Sequence, residues 1–249
     1  MEAQAYQKMA QEQEDHWWFK ARREIIEQAL FSLNLPSGCQ ILETGCGPGG
    51  NLEMLGKFGK VTAVEMDDFA RNFAKKHSPD TSIVKGWLPD NMPFPDKTFD
   101  LICLFDVLEH IENDQEALNK LKFLLKKEGK IILSVPAFQW MYGSHDKMHH
   151  HFRRYNVKEL TNIAQSAGLR VIHMNFFNVY LFPLVLLSRL VDKIIPKTKS
   201  LSARQPSLLS NRFFYWLFRK EKSKIMTKKF PFGASLIAIL EIDTKAQSN

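Results

Sequence analysis

The chain has 249 residues, of which 45% are hydrophobic and 24% are charged, and its formal net charge is +7. This composition excludes wholesale disorder, collagen-like chains and disulfide scaffolds. The three cysteines, Cys39, Cys46 and Cys103, fit neither a disulfide framework nor a zinc ribbon. The first residues lack the segments of a signal peptide, and no apolar run reaches ~18 residues, so we expect a cytoplasmic protein without a spanning helix.

The positive charge is concentrated near the C-terminus. Residues 189–229 contain twelve Lys or Arg and two acidic residues, a local net charge of +10 that leaves −3 for the rest of the chain. Such a patch indicates an anionic partner, which could be a membrane surface, a nucleic acid or an anionic substrate. Nucleic acid suits it least, because no RNA-binding motif accompanies the basic residues.

Hydrophobic periodicity predicts the elements in chain order. Residues 1–33 are predicted to be helical, and from residue 40 short apolar runs alternate with helical patterns. The predicted strands are 41–42, 61–64, 82–84, 99–105, 130–135, 170–176 and 234–242, and the predicted helices are 51–58, 67–77, 107–127 and 157–166. The third of these helices is expected to end at Glu128-Gly129, with the glycine as a left-handed cap. The alternation predicts an α/β fold with a doubly wound, largely parallel sheet.

A glycine-rich loop follows the first predicted strand and opens a helix. Gly45, Gly47 and Gly49 permit a tight turn and a close approach of the backbone to a ligand. Glu65, twenty residues after Gly45 and at the end of the second strand, stands where an acidic side chain would bind a ribose diol. Glu43, two residues before the glycines, suits a cationic, amino-bearing ligand and repels a pyrophosphate. Dinucleotides and S-adenosylmethionine remain as the two cofactor classes.

The loop resembles motif I, acidic-x-Gly-x-Gly-x-Gly, of class I S-adenosylmethionine-dependent methyltransferases. The segments 88–95, 98–102 and 108–111 resemble that family's approach to the fourth strand and the helix after it, and the similarity covers roughly residues 38–176 and the last strand. The resemblance implies a Rossmann-like, seven-stranded sheet whose last strand is antiparallel.

This resemblance indicates one methyltransferase domain over residues 1–249. Residues 1–36 would form an N-terminal helical cap, in which residues 16–23, with the pattern His-Trp-Trp-Phe-x-Ala-Arg-Arg, resemble the N-terminal helix of the type-11 and type-23 methyltransferase groups. Residues 177–230 would form a helical, basic and aromatic insertion before the last strand.

The resemblance also implies S-adenosylmethionine as the cofactor. The residues it assigns to cofactor binding follow the first four predicted strands: Glu43, Gly45, Gly47, Gly49, Glu65, Met66, Trp87, Leu88 and Phe105. Glu65 would bind the ribose hydroxyls and Met66 would contact the adenine. Trp87 stands where many relatives have an acidic residue, so we expect it either to form an apolar wall for the adenine or to pack in the core.

The loop after the fifth predicted strand contains the candidate catalytic residues, since such loops line the ligand crevice of these sheets. It resembles an Asp-x4-His-x-Arg-Arg-Tyr pattern of the type-11 and type-23 groups. Asp146 and His151 would be a general base and the residue that orients it. Arg153, Arg154 and Tyr155 would bind the substrate, the arginines by bidentate contact with an anionic group. Alternatively, these three residues cap the next helix and pair with carboxylates.

A second group of polar residues lies on the predicted helix 107–127. Asp106, Glu109 and His110 would share one face and could hold a divalent metal. Ubiquinone-pathway O-methyltransferases, which this region resembles, have a Glu-x-x-Glu-His version that is associated with a metal. Because Asp106 departs from that pattern, we favour carboxylates at a helix start over a metal site.

The insertion combines an apolar stretch, 176–187, with aromatic and basic residues in 211–220. The stretch is too apolar for a surface loop and too short to span a bilayer, and aromatics beside cations suit a membrane interface. We expect a substrate lid that also rests on the inner face of an anionic membrane. The alternative is an ordinary helical cap or a dimer interface.

These observations predict methyl transfer from S-adenosylmethionine to an oxygen of a hydrophobic, lipid-linked or glycan-related acceptor. A non-catalytic S-adenosylmethionine-binding or scaffold protein is the alternative from another class, and a dinucleotide-dependent oxidoreductase is a more distant third.

Overall fold

The computed structural model describes residues 3–194 and 207–244, which form seven strands in one sheet. The strands are β1 (Gln40–Thr44), β2 (Lys60–Glu65), β3 (Ser82–Lys85), β4 (Phe99–Phe105), β5 (Leu125–Pro136), β6 (Leu169–Phe177) and β7 (Ser235–Ile242). Their order is β3-β2-β1-β4-β5-β7-β6, and β7 runs antiparallel to both β5 and β6. The predicted seven-stranded α/β sheet with an antiparallel last strand is therefore confirmed.

Helices cover both faces of the sheet. They are α1 (Ala3–Glu12), α2 (Trp17–Phe31), α3 (Leu52–Gly56), α4 (Asp68–His77), α5 (Asp114–Leu124), α6 (Ser144–Met148), α7 (Val157–Ser166), α8 (Phe182–Ile194) and α9 (Leu208–Arg219). Side chains alternate along each strand, so Ile102 and Leu104 of β4 pack with α5 and α7, whereas Leu101 and Cys103 pack with α2 and α3. The core is thus two apolar layers, one on each face.

The predicted helix 107–127 is wrong at both ends. Asp106 has a left-handed backbone (φ 57°), a short 3-10 turn covers Leu108–His110, and α5 begins only after Asn113, whose side chain accepts from the amide of Glu116. The chain is already extended at Leu125, so Gly129 lies within β5 instead of capping a helix. A Cβ at Gly129 would lie 3.0 Å from the carbonyl oxygen of Phe99, and this close approach explains the glycine.

The predicted N-terminal helical stretch is divided into α1 and α2. The break occurs at His16, where the chain is extended and the side chain accepts from the amide of Trp18 as the N-cap of α2. The buried residues of α2 pack against one face of the sheet, whereas α1 lies beside the glycine loop.

The insertion between β6 and β7 contributes α8 and α9, and its middle part, 195–206, lies outside the described residues. Helix α9 packs on α2: Asn211 accepts from the amide of Trp17 at 2.8 Å, and Arg219 donates to Glu24 at 2.7 Å. The ring of Trp17 contacts that of Phe214, with centroids 5.5 Å apart. Among the described residues, no helix is both long enough and apolar enough to cross a bilayer.

Candidate functional site

The glycine loop joins β1 to α3 in a conformation that needs glycine. Gly45, Gly47 and Gly49 have φ values of 64°, 56° and 90°. A Cβ at Gly45 would lie 2.8 Å from Cγ2 of Val107, and a Cβ at Gly49 would lie 3.0 Å from Cδ1 of Leu52. The loop is therefore packed directly against the turn that follows β4, at the carboxyl edge of the sheet.

Glu43 is the last but one residue of β1 and is buried beneath this loop. Its Oε1 accepts from Nδ2 of Asn51 at 2.7 Å, and its Oε2 has no hydrogen-bond partner among the described residues. Burial raises the pKa of Glu43 to about 7, even though the Asn51 amide opposes the shift. A buried carboxylate oxygen without a donor fits a ligand that brings an ammonium group, as the methionine part of S-adenosylmethionine does.

Glu65 ends β2 and ties the glycine loop to α4. Its Oε2 accepts from the amide of Gly47 and its Oε1 from the amide of Asp67, each at 2.8 Å. Burial raises the pKa of Glu65, and the two amide donors oppose that shift. The carboxylate is held at the strand end where a ribose diol would be bound, which fits the role expected from the sequence.

Helix α1 covers the loop, and sequence reasoning assigned no site residue to it. The hydroxyl of Tyr6 donates to Oε1 of Glu65 at 3.4 Å, and Nε2 of Gln13 donates to the carbonyl of Pro48 at 3.4 Å. The sulfur of Met9 lies 3.4 Å from the position that a Cβ of Gly47 would occupy. Only the helical pattern of residues 1–33 was visible in the sequence, and it carries no information on where the helix packs.

The other assigned cofactor residues differ in burial. Met66 is exposed, and Trp87 is 42% exposed, so Trp87 does not pack in the core. The backbone of Trp87 exchanges two 2.9 Å hydrogen bonds with that of Asn91, which hold this segment in a turn after β3. Leu88 is half-buried against the core, and Phe105 is buried. Their cofactor contacts remain predictions.

Asp146 and His151 are brought together in the loop after β5. Asp146 is completely buried, and its Oδ1 lies 3.0 Å from Nδ1 of His151 and accepts from Nε of Arg154 at 2.8 Å. Its Oδ2 accepts from the amide of Gly143 at 2.9 Å. Burial alone would raise the pKa of Asp146, but the hydrogen bond from His151 and the charge of Arg154 outweigh it and lower that pKa well below its ordinary value. Asp146 is therefore an acceptor, Nδ1 of His151 carries the proton, and Nε2 is the nitrogen left for a reaction.

This pair lies on the same edge of the sheet as the glycine loop. The amide of Phe152, next to His151, donates to the carbonyl of Glu109 at 2.8 Å. Glu109 belongs to the turn after β4, and Val107 of that turn contacts Gly45. The turn after β4 thus connects the candidate cofactor site to the candidate base.

Arg153, Arg154 and Tyr155 are all engaged with the protein. Arg153 pairs with Asp114 at 2.8 Å, Arg154 holds Asp146, and the buried hydroxyl of Tyr155 donates to Asp114 at 2.9 Å. These contacts correspond to the alternative in which the three residues pair with carboxylates and secure the loop. The sequence signal was a shared motif, which does not distinguish a substrate contact from a structural one. Their substrate role remains a prediction.

The candidate metal residues are rearranged, because the helix that would have aligned them does not form. Asp106 pairs with Arg22 at 2.6 Å and accepts from Oγ of Ser134 at 3.2 Å. Among the described residues, the one group that could hold a metal ion is Glu109, His110 and His151, whose ligand atoms lie within 4.8 Å of one another. Glu109 is buried, both of its carboxylate oxygens lack a hydrogen-bond partner within the described part of the chain, and burial raises its pKa well above the ordinary value.

Arg22 is a second residue that sequence reasoning left out of the site. Its buried guanidinium reaches from α2 to Asp106 and Ser134, and it lies 5.5 Å from the ring centroid of Phe105 and 4.9 Å from that of Trp18. In the sequence, Arg22 was part of the motif in residues 16–23 that resembles an N-terminal helix. That motif did not predict which residues Arg22 contacts. Arg22 fixes Asp106 and brings positive charge close to Glu43 and Glu109.

A profile of the family described as a methyltransferase domain, Methyltransf_23, matches residues 12–174. The chain belongs to this methyltransferase family. Membership implies S-adenosylmethionine as the cofactor, and the unpartnered oxygen of Glu43 and the glycine cradle fit that molecule.

Relatives of this methyltransferase domain are distant. A Mycolicibacterium smegmatis protein named "Probable S-adenosylmethionine-dependent methyltransferase" is 26% identical over 64% of this chain and 61% of its own. The mitochondrial ubiquinone biosynthesis O-methyltransferase of Schizosaccharomyces pombe is 31% identical over 48% of this chain and 46% of its own. The matched part thus spans about half to three fifths of these two relatives.

Solved structures share the fold at low sequence identity. The chain solved in complex with the Haloferax volcanii Trm112 methyltransferase activator aligns with a TM-score of 0.63 and 17% identity over 96% of this chain and 95% of that chain. At 17% identity, this likeness shows a shared fold alone.

Proposed function

We propose that the protein transfers the methyl group of S-adenosylmethionine to a hydroxyl oxygen of a hydrophobic acceptor, with His151 as the general base. The observation that carries this proposal is the hydrogen-bonded pair of His151 and buried Asp146 at the carboxyl edge of the sheet. An oxygen nucleophile needs a base, because an alcohol or phenol is a weak nucleophile until its proton is removed.

The residues around His151 prepare it to accept a proton. Asp146 holds Nδ1, so Nε2 would take the proton of the acceptor hydroxyl while the oxygen–methyl bond forms and the methyl–sulfur bond of the donor breaks, with S-adenosylhomocysteine as the leaving group. The low pKa of Asp146 would keep a negative charge beside the imidazolium. Arg154 and the amide of Gly143 hold Asp146 in place. When bound, S-adenosylmethionine supplies a methyl group activated by a sulfonium. The glycine loop, Glu43 and Glu65 would hold it.

Apolar side chains around the pair support a hydrophobic acceptor. Trp140, Met148 and Phe152 lie on the loop that carries His151, and all three are exposed. Exposed apolar groups beside convergent polar residues are typical of a site for an apolar ligand. The Schizosaccharomyces pombe relative is named for O-methylation in ubiquinone biosynthesis, which favours oxygen as the acceptor atom.

The test is transfer of label from methyl-labelled S-adenosylmethionine in the presence of host extract, followed by separation of organic and aqueous phases. We expect label in the organic phase, little label with His151→Asn, and binding of S-adenosylhomocysteine by both proteins. Label only in the aqueous phase would contradict the hydrophobic acceptor. No label in either phase, with cofactor binding intact, would favour a non-catalytic protein.

A further inference from the structure

Helix α9 is apolar on its outer side as well as on the side that packs against α2. Phe214, Leu217 and Phe218 face the core, whereas Leu209, Phe213 and Trp216 follow one another at helical spacing on the opposite side and are exposed by 81%, 53% and 54%. A helix that is apolar all round is normally buried on all sides. The outer side of α9 therefore lacks a covering partner among the described residues.

Helix α8 has the same property. Leu184, Leu187 and Leu190 lie at spacings of three residues and are all exposed, whereas Phe182 on the other side contacts the ring of Phe232 with centroids 5.3 Å apart. Both helices of the insertion thus present leucine or aromatic side chains outward. With 13 and 12 residues they are too short to span a bilayer, which takes ~20 residues.

Cations surround the exposed apolar side of α9. Nζ of Lys220 lies 3.4 Å from the ring centroid of Trp216, and Arg212 is exposed on the same side. An open cleft of about 380 Å³ beside Trp216 is lined by Arg219, Lys220 and Lys222.

Acidic residues offset only part of this positive charge. Residues 207–229 contain seven Lys or Arg, and their one acidic residue, Glu221, is buried and accepts from the amides of Val179 and Tyr180. On α2, Glu24 pairs with Arg219 at 2.7 Å and lies 3.6 Å from Lys222, and Glu27 lies 3.9 Å from Lys222. The outer side of α9 therefore combines apolar side chains with a net positive charge.

We propose that the outer side of α9 forms a docking surface for an anionic phospholipid bilayer. Leu209, Phe213 and Trp216 would enter the headgroup region, with the indole at the level of the interface. The cleft beside Trp216 would receive a lipid phosphate at Lys220, next to Arg219 and Lys222, which share their charge with Glu24 and Glu27. A second copy of this chain fits less well, because two such surfaces would bring like charges together. The proposal does not depend on methyl transfer.

The test is cosedimentation with vesicles of phosphatidylcholine, with and without phosphatidylglycerol, in the absence of cofactor. We expect binding only to the anionic vesicles, and weaker binding at high salt. Leu209→Ser with Trp216→Ser, and separately Arg212→Gln with Lys220→Gln, should each lower the vesicle affinity about tenfold.

The matched control is a similar pair on the opposite face of the sheet. In α5 the ammonium of Lys122 lies 5.2 Å from the ring centroid of the exposed Phe123. Lys122→Gln with Phe123→Ser should leave vesicle binding unchanged. Thermal unfolding and binding of S-adenosylhomocysteine show that each variant is folded.

Three outcomes would overturn the proposal. The first is an absence of binding to anionic vesicles. The second is equal binding by the wild type and both double variants. The third is a dimer, detected by light scattering, that the α9 variants dissociate while vesicles bind neither form.

Discussion

The hydroxyl of Tyr6 donates a hydrogen bond to the carboxylate of Glu65, 3.4 Å away. Tyr6 belongs to α1 near the start of the chain, and Glu65 ends β2, the second strand from one edge of the sheet. The contact occupies an oxygen that the ribose would need, and α1 lies over the same glycine loop. If Glu65 binds the ribose, the N-terminal helix would have to shift or exchange this bond for one to the ligand.

Tyr6→Phe should accelerate cofactor association. Removing one hydrogen bond that holds α1 closed lowers the cost of opening by about 1 kcal/mol, which corresponds to roughly a fivefold faster association. Stopped-flow mixing with S-adenosylhomocysteine measures the association rate. The control is Gln7→Ala on the exposed side of α1, which should leave that rate unchanged. A slower association, or a loss of affinity, would instead show that Tyr6 contributes to the bound state.

Glu65→Ala should weaken cofactor binding by about 1–3 kcal/mol, the scale of a lost charge-assisted hydrogen bond. The variant also removes the acceptor for the amides of Gly47 and Asp67, so the loop itself loses support. Calorimetry with S-adenosylhomocysteine gives the affinity. The affinity of Glu65→Gln, which keeps one acceptor oxygen, should lie between those of the wild type and Glu65→Ala. Unchanged affinity in the alanine variant would refute the ribose role.

Glu43 should make both stability and cofactor binding depend on pH. Its pKa is about 7 in the folded protein against an ordinary 4.5, so its contribution to the free energy of unfolding is fully present below pH 4.5 and is lost as pH rises to 7. A bound ammonium favours the ionised form, so affinity for S-adenosylhomocysteine should rise, by at most about tenfold per pH unit, between pH 5.5 and 7.5.

Glu43→Gln isolates this effect, because Glu109 and Glu221 also have raised pKa values. The variant should bind the cofactor more weakly, with a flatter pH dependence of affinity and a smaller loss of thermal stability from pH 5 to 7. A variant that keeps the wild-type pH profile would assign the titration to another carboxylate.

His151→Asn should lower turnover about a hundredfold or more, the scale of general base catalysis, with cofactor affinity unchanged. Asp146→Asn should lower turnover as well, because the amide cannot hold the ring as a carboxylate does and the imidazolium loses its negative partner. Initial rates together with calorimetry separate turnover from binding. Wild-type turnover in the His151 variant would remove it as the base.

Metal removal should leave the methyl transfer intact. His151 cannot act as a base through Nε2 while that nitrogen binds a metal, although Glu109, His110 and His151 are close enough to hold one. Dialysis against a chelator, followed by rate measurements with and without added Mg²⁺, Mn²⁺ or Zn²⁺, distinguishes a base role of His151 from a metal-ligand role. A loss of activity that a metal restores would make His151 a ligand and would leave the base unassigned.

The sequence by itself determined the sheet and its cofactor edge. Alternating apolar runs and helical patterns are local signals that specify the sheet. A glycine loop followed by an acidic residue after the next strand keeps its spacing in the fold, so Gly47 and Glu65 lie in hydrogen-bond contact at the carboxyl edge of the sheet. Because these signals are local, they failed to predict where α5 begins. Asn113 caps α5 by a side-chain contact that a helical pattern running from residue 107 concealed.

Only the tertiary structure decided what covers the site and which polar groups meet there. Tyr6 and Glu65, or Arg22 and Asp106, are far apart in the chain, and neither helical periodicity nor spacing specifies the side of the sheet on which a helix packs. The sequence also shows that α9 is rich in apolar residues. Which of them face inward and which face outward depends on where α2 lies. Burial and pairing are properties of the packed chain, because they depend on all the neighbours that folding brings together.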